Sequence, residues 1–164
     1  MSRQADSFDA LYRRHAPSAF RRAERLLGAA DVAHEVVHDV FLSLLERPAQ
    51  YEGRSSMSTF LYSAVTHACL NRLRDDKNRR RLLQLNAQAV PLPSAPQEAT
   101  AEEWTTLRAR LARLPDGLAQ VAVYYYFDEL SHEEIARLVG CSRSHVGDLL
   151  QRLQVWTQQE AGAA

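Results

Sequence analysis

The chain is short of the residues that staple or punctuate a fold. Its two cysteines, Cys69 and Cys141, are too few for a disulfide framework and lack metal-site spacing, so both are expected as small core residues in a reducing cytoplasm. Six glycines and six prolines in 164 residues leave long stretches uninterrupted, and no β-branched alternation marks a strand. The expected class is therefore all-α. No apolar run approaches the ~18 residues of a membrane span, and no signal peptide is legible, so membrane insertion is not expected. The 20 basic and 20 acidic residues cancel, which removes any global positive field for nucleic acid. A Gly-rich phosphate loop is missing, and no nucleophile–base constellation can be placed. No enzymatic activity and no cofactor are expected.

What is present is unevenly distributed. Residues 1–50 are neutral, residues 51–100 are net +3 and residues 101–164 are net −3. From Asp6 to Leu27 a helical stripe is broken at Pro17 and closed by Gly28. From Asp31 to Glu46, Val32, Val36, Val37, Val40, Phe41, Leu44 and Leu45 read as one core face. Asp31, Glu35 and Asp39 form an acidic row on the other side. Arg47-Pro48 ends that helix and a polar loop, Gln50 to Ser56, follows around Gly53. A third helix starts near Met57 with Phe60, Leu61, Ala64, Val65, Ala68 and Leu73 expected inside, and it runs into the basic stretch 72–81. Basic side chains continuing an aromatic-bearing helix suit phosphates as well as solvent.

Residues 84–100, with Pro91, Pro93 and Pro96, cannot sustain a helix and read as a linker. The expected layout is thus two small helical modules, 1–83 and 101–164, joined by a Pro-rich linker, 84–100. In the second, helices are expected over 101–113 and 118–128, then a motif from Ser131 to Leu153, then a polar tail from Thr157. Ser131 and Glu134 have capping-box spacing, Gly140 can take the left-handed helix stop, and Ser142 can cap the next helix. Ala136 is small where two helices cross, and Val146 plugs the angle between them. That is the pattern of a DNA-binding helix-turn-helix.

His34-Glu35-Val36-Val37-His38 matches the zinc-hydrolase pattern H-E-x-x-H, in which two imidazoles on one helix face bind the metal and the Glu is the base. The following residues, DVFLSL, supply no third His, and a short chain with a helix-turn-helix leaves little room for a peptide cleft. Surface histidines among carboxylates are the expected reading, with no metal site.

Taken in order, these pieces resemble the extracytoplasmic-function (ECF) sigma factors of bacterial RNA polymerase, from about Phe8 to Leu153. DVAHEVVHDVFLSLLER looks like the family's polymerase-binding helix, and YEGRSSMSTFLYSAVTHACLNRLRDDKNRR like the loop and helix that open and read the minus-ten element. LARLPDGLAQVAVYYYFDELSHEEIARLVGCSRSHVGDLLQRL looks like the minus-thirty-five reader. The resemblance implies a subunit that directs transcription initiation, with core RNA polymerase and promoter DNA as partners and, as is common in the family, an anti-sigma factor. It assigns Asp31, Glu35 and Asp39 to polymerase contact. Tyr51, Arg54, Ser55, Ser56, Phe60, Asn71, Arg72 and Arg74 fall to the minus-ten strand. Ser142, Arg143, Ser144, His145, Gln151 and Arg152 fall to the minus-thirty-five duplex, with Asp148 on or beside the same face. Within that helix, Gly147 costs about 1 kcal/mol relative to Ala, and a carboxylate at 148 is repelled by phosphates. A stand-alone helix-turn-helix regulator, its first module used for dimerisation or a partner, is the alternative; the acidic second module counts against it, because non-specific DNA affinity is largely electrostatic.

Overall fold

The computed structural model describes residues 2–83 and 100–163, and among them there is no strand. Seven helices form: α1 (Ser2–Leu27), α2 (Ala30–Glu46), α3 (Met57–Leu83), α4 (Ala101–Leu111), α5 (Asp116–Ala122), α6 (His132–Val139) and α7 (Arg143–Gly162). A short 3-10 turn, Pro48–Gln50, follows α2, and a π-helical turn, Val123–Phe127, follows α5. The chain divides into two compact units, Met1–Arg72 and Leu73–Ala164, and α3 crosses from one to the other. The expected linker, 84–100, lies outside the described residues except for Thr100.

In the first unit α1 continues through Pro17, where a kink or restart was expected, at the cost of one intrahelical hydrogen bond. Its buried Ala16, Ala19, Ala23 and Leu26 recur at helical spacing and pack along α2. Gly28 stops α1 in the left-handed region, with φ of 74°. On α2 the buried residues are Ala33, Val36, Val37, Phe41 and Leu44. The Phe41 ring meets Phe8 edge-on at 6.3 Å and Tyr12 at 4.8 Å. Leu45, expected on this face, is instead 50% exposed, because the apolar stripe is wider than the surface α1 covers.

On α3 the inward face keeps Leu61 and Val65, as expected, and is rotated from the rest of the expected set. Leu61, Val65, Thr66, Cys69 and Leu70 are buried, while Phe60, Ala64, Ala68 and Leu73 are only half-buried. A buried threonine is acceptable because its hydroxyl is fully engaged. Thr66 Oγ1 accepts from Arg22 Nε at 2.7 Å and donates to the Tyr62 carbonyl at 2.7 Å. The same guanidinium lies 3.8 Å above the Tyr62 ring, so one residue of α1 clamps α3 by a hydrogen bond and a cation–π contact. Burial pushes the Cys69 thiol up to about 12, with Arg22 acting weakly the other way, which leaves it an inert core residue.

In the second unit Thr100 and Glu103 cap α4 reciprocally. Leu107, Leu111, Leu114, Leu118, Val121 and Tyr124 build the core around α4 and α5. The helix expected over 118–128 changes register after Ala122. Asp128 N–H donates to the Val123 carbonyl at 3.1 Å, an i→i+5 bond, and the extra residue in that turn separates buried Tyr124 from exposed Tyr125 and Tyr126. Glu129 then takes a positive φ of 52°, a conformation costly for a residue with a Cβ. Glu129→Gly is expected to raise stability by about 1 kcal/mol, read from urea unfolding; an unchanged midpoint would show that this turn carries no strain. Finally, the polar tail expected from Thr157 is helical as far as Gly162, held by an ion pair between Glu160 and Arg113 at 2.6 Å.

Candidate nucleic-acid interface

The helix-turn-helix forms from local chemistry. Ser131 Oγ accepts from Glu134 N–H at 3.3 Å, and Glu134 Oε2 accepts from Ser131 N–H at 2.8 Å. The Ser131 amide, and then its hydroxyl, which donates to Glu134 Oε2 at 2.8 Å, hold the Glu134 carboxyl below its ordinary pKa. Gly140 ends α6 at φ 75°, and Ser142 Oγ caps α7 by accepting from His145 N–H at 3.1 Å. Ile135, Ala136 and Val146 are buried, so the crossing and its plug are as expected, while Leu138 and Val139 are only half-buried.

With Val146, Leu149, Leu150 and Leu153 buried, the opposite side of α7 is fixed. Ser142, Arg143, Ser144, His145, Gln151 and Arg152 are all exposed, as is Asp148. Arg143 and Arg137 both reach toward Glu133, at 4.0 and 3.9 Å, long exposed pairs worth little. An open groove of about 600 Å³ runs between α7 and the π-helical turn. Tyr125, Tyr126 and His132 line one side, and Arg143, Ser144, Gly147, Asp148 and Gln151 the other. Sequence reading missed the tyrosine wall, since nothing in YYYF distinguishes a π-helical turn from the end of an α-helix.

In the first unit the loop before α3 is pinned from within. The Tyr51 hydroxyl donates to the Ser55 carbonyl at 2.6 Å, and its ring meets Phe60 edge-on at 5.3 Å. Gly53 turns the loop at φ 69°, and across it Arg54 pairs with Glu52 at 2.7 Å. Ser56 caps α3 through Thr59 N–H at 3.1 Å. Tyr51, Arg54, Ser55, Ser56 and Phe60 are thus brought into one cluster, with Glu52 added to it. Tyr51 has its hydroxyl committed to the loop backbone.

Asn71 and Arg72 stand further along α3. Asn71 is exposed beside His67, at 3.4 Å between side-chain nitrogens. Arg72 forms an ion pair with Glu35 of α2 at 3.1 Å, so a residue expected at the polymerase and one expected at DNA touch each other. Arg74 falls in the second unit, where it is paired with Asp116 and where burial lowers its pKa. On α2, Asp31, Glu35 and Asp39 are exposed along one row, with Leu42 at 42% exposure between them and the helix end. His34 and His38 are exposed, and the His34 ring packs on Phe20 at 4.2 Å rather than toward a second ligand. Among the described residues no three His, Cys, Asp or Glu side chains stand close enough to hold a metal ion.

Comparison with known proteins agrees with this geometry in both units. Residues 11–80 match the family model for sigma-70 region 2, and residues 105–153 match that for sigma-70, region 4. The chain is 32% identical over 163 residues to the RNA polymerase sigma factor YlaC of Bacillus subtilis, covering 92% of this chain and 89% of that one. It is 26% identical over 127 residues to the ECF RNA polymerase sigma factor SigW of Bacillus subtilis, covering 71% and 68%. With the ECF RNA polymerase sigma factor SigM of Mycobacterium tuberculosis it shares 26% identity over 144 residues, covering 85% and 69%.

Proposed function

Because the chain belongs to the sigma-70 family, in its ECF branch, we propose that it acts as the promoter-specificity subunit of RNA polymerase in transcription initiation. The observation that carries this is the order of the two sigma regions on one chain, the second built around a fully capped helix-turn-helix. Residues 1–83 serve as the module for core polymerase and the minus-ten element, residues 101–164 as the minus-thirty-five reader, and residues 84–100 as the tether. The exposed carboxylates Asp31, Glu35 and Asp39 suit a basic partner surface. The Tyr51–Phe60 loop and the α3 side chains suit a single strand, which is held by stacking and edge hydrogen bonds. Tethering matters because α7 alone faces DNA with little positive charge. Polymerase and opened strand raise the effective concentration of the second contact.

The protein itself performs no covalent chemistry and works in the cytoplasm; no described helix is long and apolar enough to cross a membrane. An anti-sigma factor that holds the two modules is a further partner consistent with the family. Run-off transcription with core enzyme, on promoters selected from the protein's own genome, tests the function. Wild type is expected to give promoter-dependent transcripts, and Arg143→Ala to lower them about tenfold, as loss of one bidentate base contact would, with core binding unchanged. Absence of both transcript and core binding would remove the reading.

A further inference from the structure

The exposed face of α7 carries a carboxylate where a duplex has least tolerance for one. At about 100° per residue, burial of Val146, Leu149 and Leu153 sets Ser144, Asp148 and Gln151 at the middle of the solvent side. Asp148 takes part in none of the ion pairs of the described residues, although Arg152 stands one turn away. It borders the groove, next to Gly147, where an added Cβ would meet nothing within 4 Å. Packing therefore does not require Gly147.

We infer that Asp148 reads a cytosine: its carboxylate accepts the N4 amino hydrogen of one cytosine in the major groove of the minus-thirty-five element. The inference rests on the sigma reading above. A carboxylate has no favourable contact with phosphate, so the donors a duplex can offer it are on base edges. The major groove offers two, cytosine N4 and adenine N6. Adenine N6 lies between two acceptors, its own N7 and the paired thymine O4, and both repel the carboxylate. Cytosine N4 has an acceptor on one side only, the paired guanine O6, and on the other a C–H. Arg143 lines the same groove and supplies the guanidinium that suits guanine O6 and N7. Arg143 and Asp148 would then read different base pairs of the element, a guanine and a cytosine. Asp148 makes this helix selective at the expense of general duplex affinity.

The test uses full-length protein with core polymerase and a promoter series in which each minus-thirty-five position carries each of the four bases. Wild type is expected to show one position where cytosine, on either strand, is favoured about tenfold in transcript yield. Asp148→Asn is expected to move the preference at that position to adenine, whose N6 and N7 an amide pairs with bidentately. Asp148→Ala is expected to bring the four bases within about twofold of one another while raising binding to unrelated duplex. The side chain is exposed, and matched melting curves would confirm that the variants fold. Promoter-dependent transcription with no cytosine position, or with wild-type preference retained in both variants, overturns the assignment of Asp148 alone. No promoter-dependent transcript from wild type overturns the sigma reading and this inference together.

Discussion

Asp39→Arg is expected to weaken binding to core RNA polymerase at least about thirtyfold, which corresponds to about 2 kcal/mol and is the lower end for losing one partner of a desolvated charge pair. Asp39 is exposed near the middle of α2, in line with Asp31 and Glu35, and its row continues into the exposed Leu42. A charge in that setting contributes little to the fold, and Arg has a higher helix propensity than Asp. Substitution therefore separates docking from folding. The reversal does more than delete an attraction, because it would set a cation against the basic surface proposed for the acidic row. Titration of labelled core enzyme measures the effect, with circular dichroism as the control for folding. Equal affinity of wild type and variant would show that this row does not face the polymerase. Arg143→Ala in parallel fixes the direction of the argument, since it is expected to leave core binding untouched.

How much of this was legible beforehand follows from the range of each interaction. The helix-turn-helix was readable residue by residue because its determinants act over three or four positions: Ser131 with Glu134, Gly140 after α6, Ser142 with His145. Class and helix order were readable for the same reason, and α2 lay within one residue of the span expected. Facing was not. Nothing near Thr66 in the sequence announces that Arg22, 44 residues earlier, satisfies its hydroxyl, so the inward side of α3 was placed on its apolar residues. Glu160 likewise extends α7 through a partner on another segment, Arg113. The π-helical turn is a register shift settled by packing of Tyr124, and with it the tyrosine wall of the groove.

The candidate site divides along the same line. On α2 and α7 the residues chosen for chemistry fell on exposed faces, since a helix with one buried stripe determines its outer side, whereas Phe60, Arg72 and Arg74 on α3 are half-buried. Couplings between elements were invisible: Glu35 with Arg72, and Tyr51 with the Ser55 carbonyl. These decide which side chains are available to a ligand. Under the proposed function, Arg72 would exchange its carboxylate partner for a phosphate. Tyr51 shapes the loop with its hydroxyl, so under the proposed function a base would meet its ring and the Glu52–Arg54 pair.

Phe41→Ala is expected to cost about 3–5 kcal/mol, the range for removing a buried phenyl ring, and to act on one unit only. Phe41 is 2% exposed and touches Phe8 and Tyr12, so its loss opens a cavity where α1 and α2 meet. For a unit the size of Met1–Arg72, total stability of about 4–11 kcal/mol is ordinary. The substitution therefore removes a large share, or all, of what holds α1 on α2. Both tryptophans, Trp104 and Trp156, belong to the second unit, so their fluorescence reports that unit while far-ultraviolet circular dichroism reports both. In a urea titration the variant is expected to lose a first fraction of its helical signal at low denaturant, before any change in tryptophan emission, a departure from two-state behaviour. Superimposable transitions from the two probes would instead mean that the chain unfolds as a single cooperative body. The contrast with Asp39→Arg, two residues away on the same helix, is the informative part. One substitution changes the surface and keeps the unit, while the other removes the unit and, under the proposed function, the polymerase and minus-ten contacts assigned to it. The cap at Ser131 and the buried Ile135, Val146 and Leu153 remain to hold the helix-turn-helix together.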